Sequence, residues 1–247
     1  MTRNTKGLII KEQSIGEQDK LVTVLTDDMG VIRAFVRGAK SVKSKKQSAT
    51  GLLCYSSLSL YSGKDAYIID DARAIEVFFG LRSDIEKLAL AQYFAELSFE
   101  LAPQEIDGDE YLRVVLNSLY MLSENKRPAL QVKAITELRL LSLAGYMPNL
   151  VACDRCGEYE TPTMFFNFEH GIIFCENCAP SEVALPVELQ VISYMRHIVF
   201  SELKKLYNFT VPDRKLEELS YITETYMKTK TDRTFKTLDF YNSLRNT

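Results

Sequence analysis

Four of the five cysteines form two closely spaced pairs, Cys153/Cys156 and Cys175/Cys178. Each Cys-x2-Cys turn can direct two thiolates at one metal ion, and two such turns complete a tetrahedral shell of sulfurs. Gly157 follows the first pair and supplies the backbone freedom that such a turn needs. The spacing therefore predicts one structural Zn²⁺ bound by all four cysteines, with the segment between the pairs folded as a zinc ribbon.

Other chemistries for these cysteines are less consistent with the pattern. Two dithiol pairs at this separation are not typical of thioredoxin-like redox proteins. A catalytic zinc normally keeps an open coordination position, and four cysteine ligands leave none. The base-deaminase motif is missing, because Gly171 and Ile172 follow His170.

The sequence also lacks a phosphate loop and a Gly-x-Gly-x-x-Gly motif, so we expect neither a nucleotide cofactor nor catalysis of a covalent step.

A second candidate site lies near the N-terminus, where basic and aromatic side chains alternate with apolar ones. Strand alternation places Arg33, Phe35 and Arg37 on one face and Ile32 and Ala34 on the other. Cations bind phosphates and a ring stacks on any base, which is what single-stranded nucleic acid requires. The alternative is an ordinary solvated lysine loop beside a covered ring. We predict DNA binding by this face and the lysines after it: Arg33, Phe35, Arg37, Lys40, Lys43, Lys45 and Lys46.

The distribution of charge supports a localised anion-binding surface. The 247 residues include 30 Lys and Arg against 33 Asp and Glu, a net charge of -3. Residues 1–50 nevertheless hold 10 basic and 5 acidic side chains, a local charge of +5. A polyanion responds to local potential more than to total charge.

The composition is that of a globular protein, and no apolar run approaches the roughly 18 residues of a membrane span. Because the first residues lack the layout of a signal peptide, we expect a cytoplasmic protein.

The elements that must position these residues change in type near residue 80. Five short β-branched or aromatic runs before that point predict a small barrel, with a hairpin turn at Asp28, Met29 and Gly30. Beyond it, apolar residues recur with a helical period, and a last helix is expected after Asp213. The fold class is α+β, a five-stranded β-barrel followed by an all-helical domain. We predict domains at residues 1–80 and 81–247, with the cysteine module inserted at 150–180.

Six motifs occur in a characteristic order: Ser14-x-Gly16-Glu17-x-Asp19-Lys20-Leu21-Val22-Thr23, Thr26 to Gly30, Arg37-Gly38-Ala39-Lys40, Glu137-Leu138-Arg139-Leu140-Leu141, Gly145-Tyr146-x-Pro148-x-Leu150 and Cys153-x2-Cys156-Gly157. Together they resemble the RecO recombination mediators of bacteria over almost the whole chain, weakening after Pro180. The resemblance implies an oligonucleotide/oligosaccharide-binding (OB) barrel and a helical domain with an inserted four-cysteine zinc ribbon. It also implies DNA contact at the basic residues named above and zinc binding by the four cysteines.

The resemblance further implies a mediator of DNA repair and homologous recombination at the bacterial nucleoid. Such proteins bind single- and double-stranded DNA and anneal complementary strands. With RecR they help load RecA onto DNA covered by single-stranded-DNA-binding protein, whose C-terminal tail some members bind. The helices between residues 81 and 143 and the basic pairs at 204–205 and 228–230 are candidate sites for that tail. Two alternatives remain: a zinc-ribbon adaptor or transcription-associated protein that acts through protein contacts only, and a nuclease or base-modifying enzyme.

Overall fold

The computed structural model describes residues 2–39, 46–63, 66–180 and 184–245. The chain forms two compact units, the first from Met1–Lys126 together with Phe235–Thr247, and the second from Arg127–Thr234. The first unit therefore combines two segments that are distant in the sequence. The division of the chain into domains at residue 80 stays a prediction. Across the described ranges, no helix is both long enough and apolar enough to cross a membrane.

A closed five-stranded barrel lies in the first unit, as predicted. Its strands are β1 (Thr2–Ile15), β2 (Asp19–Thr26), β3 (Gly30–Val36), β4 (Tyr55–Ser62) and β5 (Tyr67–Glu76). The strand order is β1-β2-β3-β5-β4, with β4 pairing back onto β1. The β3–β5 pair is parallel and the other pairs are antiparallel. A small five-stranded barrel of this kind is typical of the OB fold.

Strand alternation decides which side chains fill the barrel. Ile32, Ala34 and Val36 of β3 are buried in the barrel core, whereas Arg33 and the following Arg37 are exposed. Each large aliphatic side chain removed from water in this way contributes about 1.5–3 kcal/mol. A shift of one residue in register would exchange the two faces, so burial fixes the guanidinium groups on the outside.

The predicted hairpin between β2 and β3 is confirmed, and it fits closely against the loop after α3 (Ile85–Leu101). Thr26 Oγ1 donates a hydrogen bond to the carbonyl of Gly30 at 2.8 Å and accepts one from the Met29 amide at 3.1 Å. Gly30 has φ +57, and a Cβ added there would collide with the Pro103 carbonyl. The Val31 amide donates to that same carbonyl at 2.8 Å. The turn therefore requires glycine for both conformation and space.

Four further helices belong to the first unit: α1 (Lys46–Ala49), α2 (Phe79–Arg82), α4 (Asp109–Ser123) and α8 (Lys236–Arg245). The side chain of Asp84 accepts hydrogen bonds from the amides of Glu86 and Lys87 and so caps α3. The expectation that the helix after Asp213 is the last one was wrong, because α8 follows it. Helix α8 is short and mostly polar. Because its buried residues are Leu238 and Tyr241, the apolar periodicity of its sequence is weak.

The second unit contains helices and a three-stranded sheet. Its elements are α5 (Ala129–Leu141), a π-helical turn (Ser142–Tyr146), β6 (Thr163–Asn167), β7 (Ile172–Cys175), β8 (Leu185–Glu188), α6 (Leu189–Phe200), a 3-10 turn (Leu203–Lys205) and α7 (Asp213–Thr231). The hairpin β6–β7 is the predicted ribbon, and the sheet order is β7-β6-β8. Strand β8 escapes prediction because it contains Pro186, which an edge strand tolerates.

Tyr226 on α7 holds the tip of the ribbon. Its hydroxyl donates to the Tyr146 carbonyl at 2.9 Å, and its ring packs edge-on against Phe166, with the ring centroids 5.3 Å apart. A Cβ added to Gly171 would lie 2.5 Å from the Tyr226 hydroxyl oxygen. The Gly171 carbonyl accepts a hydrogen bond from the Asn149 amide at 2.7 Å. The ribbon tip is thus fixed both to α7 and to the segment that follows the π-helical turn.

Candidate metal centre and nucleic-acid interface

Two tight turns bring the four cysteines together. In the first turn, the Cys153 amide donates to the Glu158 carbonyl at 2.8 Å, and the Gly157 amide donates to the Cys153 carbonyl at 2.9 Å. Gly157 has φ +76, which confirms the expected need for a flexible residue there. In the second turn, which follows the end of β7, the Cys178 amide donates to the Cys175 carbonyl at 3.0 Å. The backbone of each turn therefore presents two closely spaced sulfurs.

The four sulfur atoms all lie within 4.8 Å of one another, and those of Cys156 and Cys175 are 3.6 Å apart. A tetrahedral Zn²⁺ with Zn–S bonds of about 2.3 Å places its sulfurs about 3.8 Å from one another. The spacing and the all-thiol donor set therefore fit a tetrahedral zinc shell. The observed positions of the four sulfurs are consistent with the four-cysteine metal site predicted from the sequence.

The electrostatics of the cluster favour a cation at its centre. Burial raises the pKa of the Cys153 thiol, but backbone amides at residues 175, 156 and 155 outweigh it and lower the pKa to about 6. A hydrogen bond with the Cys156 sulfur raises the pKa of Cys178 to about 12. Some thiolate charge is thus stabilised by the turns, but four adjacent thiolates require a divalent ion between them.

The outer face of the barrel carries the predicted nucleic-acid residues. Arg33 and Arg37 are exposed, and Phe35 lies half-buried between them on β3. Neither guanidinium forms an ion pair within the described part of the chain. The alternation predicted from the sequence is therefore present in the structure. Whether these side chains bind DNA stays a prediction.

Register extends this face across two neighbouring strands. Thr23 pairs with Arg33 and with Lys11, so these three residues form one row across β1, β2 and β3. Leu21 pairs with Phe35 and with Gln13, which gives a second row about 6.8 Å from the first. Basic and aromatic side chains thus lie in adjacent rows, as a surface that follows a strand of nucleic acid would require.

Of the predicted lysines that follow β3, the structure describes Lys46. Lys46 begins α1, is half-buried, and its Nζ donates to the Ile69 carbonyl at 3.4 Å. Its ammonium is therefore partly engaged by the barrel itself. Lys40, Lys43 and Lys45 lie outside the described residues.

The sequence did not predict Lys11, which the structure places in the same row as Arg33, with Thr23 of β2 between them. The apolar run that marks this strand in the sequence covers residues 8–10, whereas β1 extends to Ile15. A break in register between Ile9 and Lys11 interrupts the simple alternation, so Lys11 faces outward although the four residues before it are all buried. The polar character of residues 11–14 was the available signal, because the exposed part of a long strand often shows it.

Comparison with known proteins gives consistent matches along the chain. Residues 1–78 match the family model "Recombination protein O N terminal", and residues 82–239 match "Recombination protein O C terminal". The chain is 34% identical over 241 residues to the DNA repair protein RecO of Acetivibrio thermocellus, covering 97% of this chain and 96% of that protein. It is 30% identical to the RecO of Caldicellulosiruptor bescii, with 98% of each chain covered. Identity to the RecO of Dehalococcoides mccartyi strain CBDB1 is 28%, covering 98% of this chain and 95% of that protein.

Proposed function

Because the chain belongs to the RecO family of DNA repair and recombination proteins, we propose that it is a recombination mediator that binds single- and double-stranded DNA. In this proposal it anneals complementary strands and, with RecR, helps load RecA onto DNA covered by single-stranded-DNA-binding protein. It contacts the C-terminal tail of the latter protein and acts at the nucleoid, without a nucleotide cofactor and without catalysing a covalent step.

The observation that carries this proposal is the outer face of the barrel. Arg33 and Arg37 project on either side of Phe35, and Lys11 lies in the row that contains Arg33. Phosphate contacts supply most of the affinity for any DNA sequence, whereas an aromatic ring adds stacking that tolerates every base. A mediator must bind strands irrespective of their sequence, and this combination of side chains meets that requirement.

Annealing follows from the same charges. Two DNA strands repel each other through their phosphates, and a basic surface that neutralises phosphates on both strands lowers that repulsion. Complementary bases can then pair, and no energy source is needed. The lysines at 40, 43 and 45 closely follow β3 in the sequence and add positive charge to this part of the chain.

We propose that the four cysteines bind one Zn²⁺ whose role is structural. Cys153 and Cys175 are buried, and Cys175 is the last residue of strand β7 in the ribbon. A closed tetrathiolate offers no free coordination position, and its negative charge does not favour contact with phosphates. The ion would connect the two turns and so hold the ribbon together.

The direct test is fluorescence anisotropy of a labelled single-stranded oligonucleotide over a salt series. Wild type should bind with strong salt dependence, and Arg33→Ala/Arg37→Ala should weaken binding to every sequence. The slope of log K against log salt should fall by about 0.7 for each phosphate that the variant no longer neutralises. Arg113→Ala is the matched control, since Arg113 is exposed on α4 of the same unit and pairs with Asp109. Binding that is absent at low salt would instead favour the protein adaptor.

Mediator activity needs a second assay. RecA filament formation on DNA coated with single-stranded-DNA-binding protein should accelerate when wild type and RecR are both added. The double arginine variant should lose this acceleration and the annealing of free complementary strands together. Annealing that needs ATP, or that is accompanied by strand cleavage, would contradict the proposal.

A further inference from the structure

A groove of about 230 Å³ crosses the outer face of the barrel next to α3. Lys11, Thr23 and Arg33 form one row of its lining across three strands, and Phe99 reaches it from α3. The remaining lining residues are Gln13 and Leu21, so none of the described residues that line the groove is a carboxylate. The groove therefore carries two positive charges without an acidic side chain in its own wall to balance them.

Phe99 is a partly exposed ring beside a cation. Its relative exposure is 40%, whereas Phe94 and Leu97 on the same helix are fully buried. The Nζ atom of Lys11 lies 5.4 Å from the centroid of the Phe99 ring. Other residues of α3 therefore pack into the hydrophobic core, and the Phe99 ring stays accessible at the edge of the groove.

The chemistry of the groove suits one nucleotide of a single strand. The face of an aromatic ring stacks on a base, and nearby cations bind the flanking phosphates. The amide of Gln13 and the hydroxyl of Thr23 add hydrogen-bonding groups to the lining. A site made only of lysine and arginine would bind the backbone alone, so Phe99 adds recognition of the base itself.

We propose that Phe99, Lys11 and Arg33 form a nucleotide subsite in which one unpaired base of single-stranded DNA stacks on Phe99 while its phosphates contact the two cations. This inference rests on the proposed DNA-binding function and adds a helix to a surface otherwise made of strands. It makes the subsite selective for unpaired bases, because a base in a duplex cannot present its face to a ring.

The test compares an ordinary single-stranded oligonucleotide with an abasic one of equal length and charge, by anisotropy at low salt. Phe99→Ala should weaken binding of the ordinary oligonucleotide by about 5- to 150-fold, the range expected for one stacked base. It should leave binding of the abasic oligonucleotide unchanged. Lys11→Gln should weaken both, and Phe99→Tyr should keep wild-type affinity. Phe79→Ala, at a 73% exposed ring of the same unit, is the control and should change neither.

Two outcomes overturn the subsite. Phe99→Ala could bind both oligonucleotides as wild type does, or it could weaken both by the same factor. In either case wild-type binding of DNA would persist and the proposed function would stand. If wild type does not bind DNA at all, both the proposed function and the subsite are contradicted. Thermal unfolding of each variant verifies that it is folded.

Discussion

The ammonium of Lys133 lies 3.0 Å from Oε1 of Glu137, one turn further along α5, with both side chains buried. Lys133 also pairs with Glu224 of α7 at 2.9 Å, and Glu137 accepts a hydrogen bond from Thr223 at 2.7 Å. Burial raises the pKa of Glu137, and Lys133 and Thr223 oppose that rise by favouring the carboxylate. The network therefore joins α5 to α7 through charges that are largely shielded from water.

Removing one member of this network should be costly. Lys133→Met leaves two carboxylates without their shared cation, so we expect a loss of about 3–5 kcal/mol in the free energy of unfolding, measured with urea. Lys228→Met is the matched control, because Lys228 also pairs with Glu224 but is 41% exposed. An exposed pair of that kind contributes about 0–1 kcal/mol. Equal losses in the two variants would contradict this account of the network.

A side chain at Gly171 should lower the stability of the fold for two separate reasons. Its φ of +67 and the nearby Tyr226 hydroxyl penalise alanine separately, whereas a Cβ added to Gly145, with φ +90, would meet no described residue outside its own turn within 4 Å. Gly145→Ala should therefore cost about 1–2 kcal/mol for backbone conformation alone. Gly171→Ala should cost about 1–3 kcal/mol more, from overpacking. Urea unfolding measures both, and adding Tyr226→Phe should recover part of the Gly171→Ala loss. A smaller loss at Gly171 than at Gly145 would refute the steric account.

Alkaline pH should weaken the attachment of the ribbon tip. Burial raises the pKa of Tyr226, whose hydroxyl donates to the Tyr146 carbonyl. The unfolded chain therefore loses this proton first, and the contribution of Tyr226 to stability is present below about pH 10 and falls as the pH rises above it. Tyr226→Phe should cost about 0.5–1.5 kcal/mol at neutral pH. It should also show a shallower decline in stability above about pH 10, and parallel curves for the two proteins would disprove the assignment.

Metal removal should unfold the ribbon before the barrel. A structural zinc contributes on the order of 10 kcal/mol of binding energy to local folding. Chelation, or Cys175→Ser, should therefore abolish bound zinc and increase hydrogen exchange in β6 and β7, while β2 and β3 keep their protection. Cys54→Ala is the control, since Cys54 is buried in the first unit and its sulfur lies 3.3 Å from Ser56 Oγ. Unchanged exchange in the ribbon after metal loss would argue against a structural role.

The sequence predicted the elements whose signal is local. The hairpin at Asp28, Met29 and Gly30 and the outward side chains of β3 follow from turn residues and a period of two, and both are confirmed. The paired cysteine turns were equally recognisable, because a metal fixes their spacing in the chain.

Features that depend on distant partners could not be predicted. The place of Phe99 beside Lys11 depends on how α3 packs on the barrel, and no pattern near either residue indicates it. Strand β8 and helix α8 are short, and tertiary contacts stabilise them more than their own periodicity does. The register break in β1 likewise hid the outward orientation of Lys11.

Helix α8 has a consequence for synthesis on the ribosome. Phe235, just before it, packs edge-on against Tyr93 of α3, and Thr237 donates hydrogen bonds to the Glu96 carboxylate. About 135 residues separate the end of α3 from the start of α8, so at about 5–20 residues per second the nascent α3 waits roughly 7 to 27 s for its partner. During that interval an apolar face of α3 is open to other molecules. The first unit, which contains the barrel, thus reaches its final packing only after the whole second unit has been translated.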